Sequence, residues 1–450
     1  MRIQPADRTK GVQEYYFSRK QKDLDAVSAA RASRGEGPLI NLGIGAPDGM
    51  PPQAAIDALV KTAVLPGNHK YQNYKGLPEL RQAFADWYAR YYGVTLNPNG
   101  GIQPLVGSKE GILLISLAFV NPGDKVLVPD PGYPTYSSTV KLVGGEALTY
   151  DLKEDNGWFP DFDALERMDL EGVKLMWVNY PNMPTGASAT PELYERLVDF
   201  GRRHNILVVN DNPYSFILTD KPISILAVEG STDCCLELNS LSKAHNMSGW
   251  RIGMVAGEPA MVNEILKVKS QMDSGMFKAM QMAAIEALAQ GTDWFVELNA
   301  EYKRRRAAAG RVFDALGVSY NPNSTGLFLW GRLHEAGAAP AGSECESRET
   351  VTGLASPDRS HPRLVRGRGP SLAMGGAERS EESGLPGPVA GQEMTPGEVL
   401  SEKILHGTGV FITPGFVFGK NGGNYVRISL CAPVPVLEDA LSRVKAFIGK

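Results

Sequence analysis

The chain has 450 residues, 43% of them hydrophobic, and its 46 basic and 50 acidic residues give a net charge of −4. That length suits two or three domains, and the balanced charge argues against a nucleic-acid partner, which would need a basic face. No apolar run approaches the roughly 20 residues of a membrane helix, and the polar N-terminus lacks the apolar part of a secretory signal. The four cysteines show neither metal-ligand spacing nor a disulfide framework. We therefore expect a soluble, cytoplasmic protein without a metal site.

The first 44 residues predict an N-terminal arm and a helix. Tyr15 opens a stretch whose apolar residues, Leu24 and Val27, would face a core, and a short strand is expected over 39–44. Gly45 then starts a turn-rich segment. A glycine there either lets the backbone approach a ligand closely or only permits the turn, and the sequence leaves both interpretations open.

Two features before residue 125 are candidates for a binding site. Tyr71 lies in a polar loop, outside the apolar face of the periodic helix expected over 77–92. Gly107 and Ser108 follow a predicted strand and open an apolar helix, and Lys109 comes next. The exposed N–H groups of such a helix start can bind an anion, although an ordinary N-cap with nothing bound would use the same residues.

Nearly unbroken apolar strands alternate with helices over 125–256. This pattern predicts an α/β fold with a mostly parallel sheet that helices cover on both faces. In such sheets, ligands bind beyond the carboxyl ends of the strands. The residues just past predicted strand ends or at helix starts are Ser108, Tyr133, Met183, Asp211 and Lys243. Their positions predict one site at this edge of the sheet.

The stretch around Lys243 combines an amine with anion-binding groups. Lys243 follows an apolar run, and burial at a strand end lowers the pKa of a lysine and favours Schiff-base formation with an aldehyde. Ser240, Ser242 and Arg251 could together hold a phosphate. An aldehyde with a phosphate describes pyridoxal 5′-phosphate. The alternative interpretation is a strand end with a surface lysine and a solvated arginine.

The last third of the chain predicts a second, smaller α/β domain, with Arg427 on a strand. The segment 336–396 interrupts it, contains no Phe, Tyr, Trp or Ile, and is rich in Gly, Pro, Ser, Glu and Arg. Such a composition buries too little apolar surface to offset its ordering entropy, so we expect a disordered insertion. The predicted division is an arm and helix at 1–44 that join the small domain, a large cofactor-binding domain at 45–298, and a small domain at 299–450.

In order and spacing, these motifs resemble the class I/II aminotransferases of the fold-type I superfamily of pyridoxal phosphate enzymes. Aspartate-aminotransferase-like and LL-diaminopimelate-aminotransferase-like members are the most similar. The resemblance covers about 39–335 and 399–450. It rests on Gly45 in Gly-Ala-Pro-Asp, Tyr71 before Gly76, Gly107-Ser108-Lys109, Asp130-Pro131-Gly132-Tyr133, Pro184-Thr185-Gly186, Asp211 before Tyr214, Ser240 before Lys243, Arg251, and Arg427 in Val-Arg-Ile-Ser.

The resemblance implies a fold and an activity. The fold would be α/β, with a mostly parallel seven-stranded sheet in the large domain and a smaller C-terminal α/β domain. The protein would be a homodimer with shared active sites. Pyridoxal 5′-phosphate would be the cofactor, and the reaction would exchange an amino group between an L-amino acid and a 2-oxo acid, with 2-oxoglutarate as the expected acceptor.

The resemblance also implies roles for the residues that would contact the cofactor ring. Lys243 would carry the cofactor as a Schiff base and then move the substrate α-proton. Asp211 would pair with the pyridine nitrogen and keep it protonated, which makes the ring an electron sink. Tyr214 would donate a hydrogen bond to the phenolic oxygen, and Tyr133 would stack on the ring.

The remaining implied roles concern the phosphate and the substrate. Gly107, Ser108, Lys109, Ser240, Ser242 and Arg251 would surround the phosphate, and Tyr71 would reach it from the second subunit. Arg427 would bind the substrate α-carboxylate as a bidentate pair, and Gly45 would leave room for it. In the diaminopimelate-type enzymes, a lysine at the position of Lys109 and a tyrosine near Tyr15 approach the substrate.

Met183 departs from the family pattern, which has Asn immediately before Pro-Thr-Gly, and a methionine cannot donate a hydrogen bond to the cofactor's phenolic oxygen. Either Asn182 turns inward or Tyr214 carries that oxygen alone. Two other functions remain open at this point. One is a different fold-type I activity, such as a β-lyase or decarboxylase, because the fold does not separate such chemistries. The other is a degenerate homologue that only binds the cofactor.

Overall fold

The structure is a computed structural model that describes residues 3–12, 14–334 and 393–449. The predicted insertion lies outside the described residues except for its last four positions. A helix begins at Pro396, the last residue of the predicted insertion. Within the described ranges, no helix has the length and apolarity needed to cross a membrane.

The described residues form helices and strands that follow the chain order predicted from the sequence. The helices are α1 Asp7–Lys10, α2 Tyr16–Ser33, α3 Gln53–Ala63, α4 Pro78–Tyr92, α5 Ser108–Phe119, α6 Thr135–Leu142, α7 Phe162–Glu166, α8 Pro191–His204, α9 Leu241–Ala244, α10 Pro259–Lys269, α11 Lys278–Leu288, α12 Thr292–Leu316, α13 Pro396–Thr408 and α14 Val434–Ile448. The strands are β1 Ile40–Asn41, β2 Ile102–Leu105, β3 Lys125–Asp130, β4 Glu146–Asp151, β5 Val173–Val178, β6 Leu207–Asp211, β7 Cys235–Ser240, β8 Gly253–Gly257, β9 Ser319–Tyr320, β10 Phe328–Arg332, β11 Val410–Phe411, β12 Thr413–Pro414 and β13 Tyr425–Ser429.

The seven-stranded sheet has the order β2-β8-β7-β6-β5-β3-β4. Its central strands are buried because apolar clusters cover both faces, one built with α8 and the other with α5, α6 and α10. Strands buried on both faces are the reason for the unbroken apolar runs in the sequence. The predicted α/β fold with a mostly parallel seven-stranded sheet is confirmed.

One strand of this sheet runs against the others, and its direction matters for the site. β8 pairs antiparallel with both β2 and β7, whereas β3 to β7 pair in parallel. The start of β8 therefore lies at the edge where the parallel strands end. Lys243 follows the end of β7 and Arg251 precedes β8, so the antiparallel return brings both residues to the same edge.

A second sheet, antiparallel throughout, has the order β12-β13-β10-β9 and carries Arg427 on β13. Arg427 is in register with Trp330 on one side and Thr413 on the other. Helices α12, α13 and α14 pack on this sheet and bury its apolar face in one core.

The N-terminal strand is shorter than predicted. The sequence predicts a strand over 39–44, but only Ile40–Asn41 pairs in parallel with β11. The ladder ends because the carbonyl of Leu42 turns to accept a hydrogen bond from the N–H of Ser429 on β13 (2.8 Å). The chain at Leu42 thus joins two neighbouring strands instead of extending one.

The division into domains at 44/45 and 298/299 stays a prediction.

Candidate active site

A cavity of about 350 Å³ opens at the edge of the seven-stranded sheet where the parallel strands end. All the predicted site residues line it except Gly107 and Tyr71. Those that line it are Tyr15, Gly45, Ser108, Lys109, Tyr133, Met183, Asp211, Tyr214, Ser240, Ser242, Lys243, Arg251 and Arg427. Segments from the arm, from the seven-stranded sheet and from the second sheet thus meet in one place.

Lys243 lies in the one-turn helix α9, directly after β7. Its Nζ donates a hydrogen bond to the carbonyl of Gly45 (2.5 Å). Burial lowers the pKa of the Lys243 ammonium, and the nearby cations Arg251 and Arg427 lower it further, whereas Cys431 and Asp211 raise it. A lysine whose ammonium form is disfavoured in this way is suited to act as a nucleophile and as a proton acceptor.

Asp211 ends strand β6 with one carboxylate oxygen free to bind a ligand. The hydroxyl of Tyr136 donates to its Oδ2 (2.9 Å), while its Oδ1 has no hydrogen-bond partner among the described residues, although the side chain is buried. Burial raises the pKa of Asp211 to about 6, and the Tyr136 hydrogen bond opposes this rise. A buried unpaired carboxylate oxygen costs free energy, and a protonated ring nitrogen would supply the missing donor.

Three tyrosines form an aromatic wall around the cavity. Tyr15 and Tyr133 both line it, and burial, followed by the neighbouring Tyr133, raises the pKa of Tyr15. Burial also raises the pKa of Tyr214, whose ring lies 6.0 Å from that of Phe328. Near neutral pH both hydroxyls are therefore protonated and can donate hydrogen bonds to a ligand.

Ser108, Ser240, Ser242 and Arg251 bring anion-binding groups together. Ser108 is the first residue of α5, so the free N–H groups of that helix start lie beside the cavity. Ser240 caps α9 through its Oγ, which accepts from the N–H of Ser242 (3.0 Å) and donates to the Ser242 hydroxyl (2.7 Å). Arg251 donates to Ser242 Oγ (3.4 Å) and to the carbonyl of Ser248 (2.8 Å). This arrangement fits a phosphate group.

Gly107 and Tyr71 do not line the cavity, for different reasons. Gly107 has φ = +77°, and a Cβ there would overlap the guanidinium of Arg251, so only glycine allows Arg251 to lie against the start of α5. Tyr71 is 91% exposed. Within one chain it therefore does not reach the serines and Arg251, and the expected phosphate contact would have to come from a second copy.

Arg427 is a buried cation without a carboxylate partner among the described residues. One NH2 hydrogen bond goes to the carbonyl of Gly43 (2.9 Å) and one NH1 contact goes to the sulfur of Met183 (3.5 Å), while Nε has no partner among the described residues. Its guanidinium carbon lies 4.0 Å from the ring centre of Phe328 and 4.6 Å from that of Phe418. Burial lowers its pKa to about 10. A desolvated guanidinium with free donors is suited to bind a carboxylate.

The position of Gly45 is explained by a protein contact. A Cβ at Gly45 would lie 2.6 Å from Cζ of Phe328, so any larger residue would push this ring out of its place over Arg427. The carbonyl of Gly45 also accepts the Lys243 hydrogen bond. The expected role, leaving room for a substrate carboxylate, stays a prediction, and the close approach to Phe328 is an additional reason for glycine.

Met183 lines the cavity, and Asn182 does not. The Asn182 side chain holds the following turn together: Oδ1 accepts from the N–H (3.3 Å) and hydroxyl (2.7 Å) of Thr185, and Nδ2 donates to the carbonyl of Asn179 (3.2 Å). These contacts hold the amide in its own turn, away from the cavity. Of the two alternatives left open by the sequence, this geometry favours the one in which Tyr214 acts alone.

Several lining residues of the cavity were not predicted from the sequence. Tyr136 and Asn179 both lie at the strand edge: Tyr136 holds Asp211, and Asn179 donates to the carbonyl of Asp211 (2.5 Å) and accepts from the N–H of Met183 (2.8 Å). Their positions, one near a helix start and one at a predicted strand end, were the available signal. Phe17 and Phe328 also line the cavity, but they carried no sequence signal because they look like ordinary core residues.

The chain is similar to known proteins over nearly its whole length. The sequence profile of the family "Aminotransferase class I and II" matches residues 37–444. An LL-diaminopimelate aminotransferase from Nitratidesulfovibrio vulgaris (strain DSM 19637 / Miyazaki F) is 37% identical over 442 residues, which is 98% of each chain. One from Aquifex aeolicus (strain VF5) is 35% identical over 442 residues, again 98% of each.

Solved structures agree with this match. The apo structure of BacF from Bacillus subtilis superimposes with a TM-score of 0.80 at 29% identity, over 99% of this chain and 98% of that one. An aminotransferase from Staphylococcus aureus gives a TM-score of 0.77 at 27% identity, over 98% of both chains. A fold and site of this kind define a fold-type I enzyme that uses pyridoxal 5′-phosphate. The chain belongs to the class I and II aminotransferases and is a pyridoxal phosphate-dependent transaminase.

Proposed function

We propose that this aminotransferase takes LL-2,6-diaminopimelate as its amino donor and 2-oxoglutarate as its acceptor. The observation that carries the proposal is a further cation in the cavity, beyond Lys243 and the phosphate-binding Arg251: Lys109 lies there together with Arg427, and neither pairs with a carboxylate of the described residues. The Lys109 ammonium lies 4.7 Å from the ring centre of Tyr15. Both proposed substrates carry two carboxylates, so one cation could hold each end. The names of the relatives support the same donor.

The cofactor's contacts follow from the groups described above. Ser108, Ser240, Ser242 and Arg251 would hold its phosphate. Asp211 Oδ1 would keep a proton on the ring nitrogen, and Tyr214 would donate to the phenolic oxygen. When bound, pyridoxal 5′-phosphate supplies an electron sink for the bond that breaks at the substrate α-carbon.

The protein's own contribution to the reaction is positioning and proton transfer. Arg427 would orient the substrate by its α-carboxylate, which directs the α-hydrogen towards Lys243. The Lys243 amine, with its pKa lowered by burial, would take the α-proton and return it on the other side of the exchange. Phe328 and Tyr15 would exclude water from the reacting groups.

A screen of donors tests the substrate assignment. We expect LL-diaminopimelate with 2-oxoglutarate to give the highest kcat/KM among the L-amino acids, with L-alanine as the monocarboxylate reference. Lys109→Met should lower kcat/KM for diaminopimelate about tenfold, equivalent to about 1.4 kcal/mol of lost binding in the transition state, because the distal carboxylate loses its cation. In the donor half-reaction, followed by the change in cofactor absorption, Lys109→Met should lower the rate with L-alanine much less. Equal losses for both donors would contradict the assignment of Lys109 to the distal carboxylate.

We also propose that the enzyme is a homodimer in which Tyr71 completes the partner's site. Large apolar side chains are exposed on and near α3, including Val60, Val64 and Leu65, and Tyr71 lies close by in the chain. The stacked rings of His69 and Phe277, 5.7 Å apart, connect this region to the start of α11. Exposed apolar side chains grouped in this way are typical of an interface with another protein.

Mixing two inactive variants tests the shared site. In a mixture of Lys243→Ala and Tyr71→Ala subunits, half of the dimers are hybrids at random exchange, and each hybrid has one intact site. Activity should therefore rise to about a quarter of the wild-type value. The control is each variant refolded or exchanged with itself, which should give no gain. If the mixture is no more active than its parents, the sites are not shared.

Met183 leads to a prediction about the bound cofactor's colour. In Met183→Asn, an amide would donate a hydrogen bond to the cofactor's phenolic oxygen and stabilise its negative charge. The proton that this oxygen shares with the Lys243 nitrogen would then dissociate at lower pH. One neutral hydrogen bond contributes about 1 kcal/mol, so the pH midpoint of the visible band should fall by up to about one unit. Asn182→Ala is the comparison, and we expect it to lower thermal stability without moving the midpoint. If Asn182→Ala moves the midpoint and Met183→Asn does not, the assignment is reversed.

The proposed location is the cytoplasm. Cys234, Cys235 and Cys431 are free and buried thiols, and the sulfurs of the first two lie 3.7 Å apart without a bond. Adjacent unpaired thiols suit a reducing compartment.

A further inference from the structure

Asp130, the last residue of β3, has a buried carboxylate that contacts the protein backbone. Its side chain accepts hydrogen bonds from the N–H groups of Lys420 (3.2 Å) and Asn421 (3.0 Å). The Asn421 amide donates to the carbonyl of Asp130 (3.0 Å). The Asp130 carboxylate pairs with no Lys, Arg or His side chain among the described residues. The N–H groups of Lys420 and Asn421 are therefore what satisfy the buried charge. Asp130 does not line the cavity.

The segment 418–421 is fitted closely around the end of β3. The N–H of Gly132 donates to the carbonyl of Phe418 (2.7 Å). Gly419 has φ = +137°, and a Cβ there would overlap the carboxylate of Asp130. Only glycine therefore allows the carboxylate to reach the two N–H groups that follow it.

Phe418, held by these contacts, forms part of the wall around Arg427. Its ring centre lies 4.6 Å from the Arg427 guanidinium carbon, and on another side it meets the ring of Trp330 (5.8 Å, edge-on). Arg427 itself has few polar anchors, the carbonyl of Gly43 and the sulfur of Met183. Its direction is therefore set largely by the aromatic rings that pack against it.

We propose that Asp130 is a positioning residue that orients Arg427 for the substrate α-carboxylate by fastening the segment 418–421 to the end of β3. The inference rests on the proposed role of Arg427. It connects two parts of the site: Asp130 is three residues before Tyr133, on the cofactor side, and acts through Phe418 on the substrate side. Since amino acid and 2-oxo acid both carry an α-carboxylate, Asp130 acts on the binding of both.

The test uses the cofactor-loaded enzyme and the substitution Asp130→Asn, which keeps the size but replaces one of the two acceptor oxygens by an NH2 group that faces a backbone N–H. We expect KM for L-alanine and for 2-oxoglutarate, and the inhibition constant of propionate, to rise about tenfold, while kcat changes much less. Propionate carries the carboxylate without the amino group, so it reports on Arg427 alone. Cofactor affinity and the visible spectrum should stay unchanged, which a general loss of structure would not allow.

Two further variants keep the inference falsifiable. Gly419→Ala disrupts the same contact from the segment 418–421 and should raise the inhibition constant of propionate by a similar factor. The double variant should raise this constant little further. Asp151→Asn is the matched control: this carboxylate accepts from the Asn421 amide (2.8 Å) at the exposed side of the same segment, and its loss should leave the propionate constant within about twofold.

The outcomes separate this inference from the role of Arg427. If Arg427→Lys raises the propionate constant and Asp130→Asn does not, the positioning role is wrong and the role of Arg427 is kept. If neither variant changes it, the proposed role of Arg427 fails and the inference falls with it. If Asp130→Asn weakens cofactor binding as much as propionate binding, Asp130 is a general structural residue and the inference is overturned.

Discussion

Replacing Lys243 by alanine is expected to lower the rate of amino-group transfer by about 10⁴-fold, the upper range for the loss of a positioned acid–base group. The buried amine, with its lowered pKa and its place beside Asp211, Arg251 and Arg427, has no substitute: Lys109, the other lysine at the cavity, lies against Tyr15. The measurement is kcat with the preferred donor, together with binding of the cofactor by absorption.

The attachment of the cofactor to Lys243 can be read directly. Borohydride reduction of the loaded enzyme followed by peptide mapping should find the pyridoxyl group on Lys243. Lys267→Ala serves as the control, because Lys267 is exposed on α10 and paired with Glu264, and this variant should keep full activity and the same labelled peptide. A label on any other lysine would remove the basis of the proposed mechanism.

Asp211→Asn is expected to lower kcat by about 10²- to 10³-fold, the range seen when one preorganised electrostatic partner is removed from an active site. The amide keeps the shape and can still accept from Tyr136, but it carries no charge to hold a proton on the ring nitrogen. The ring then withdraws electrons less strongly from the substrate α-carbon. The cofactor should still bind through Arg251 and the serines, which its visible absorption would show.

Tyr136→Phe is the informative comparison for Asp211. It removes the hydroxyl that donates to Oδ2 (2.9 Å) and leaves the carboxylate in place, so the loss in kcat should be about tenfold or less. Because the lost donor had lowered the pKa of Asp211, the pKa should rise in this variant before the cofactor is loaded. If Asp211→Asn were no slower than Tyr136→Phe, the charge of Asp211 would not be what matters.

Much of the site could be predicted because parallel strands end at one edge. Ser108, Tyr133, Asp211 and Lys243 each follow a predicted strand or begin a helix, and the observed sheet order places those positions side by side. That inference needed only the apolar runs and the rule for ligand sites in such sheets. Arg251 joined them because β8 runs antiparallel, which the spacing alone did not reveal.

The remaining parts of the site depend on packing between distant segments. Phe328 fits against Gly45 and Arg427, but in the sequence it is one apolar residue of a short strand. The orientation of the Asn182 side chain could not be predicted either, because the sequence does not show whether an amide faces the cavity or hydrogen-bonds within its own turn. Such choices are decided by which hydrogen-bond partners the folded chain brings within reach.

The antiparallel return through β8 also has a consequence for how a newly made chain matures. Arg251 and Ser242 are nine residues apart, whereas Arg427 and its anchor Gly43 are separated by 384 residues. Chains are synthesised from the N-terminus and local contacts form before distant ones. The phosphate-binding half of the pocket can thus close while the ribosome is still adding the residues that follow β8. The site around Arg427 that binds the substrate carboxylate is completed only when the two ends of the polypeptide meet. A nascent chain therefore gains a binding site for its coenzyme before it gains one for its substrate.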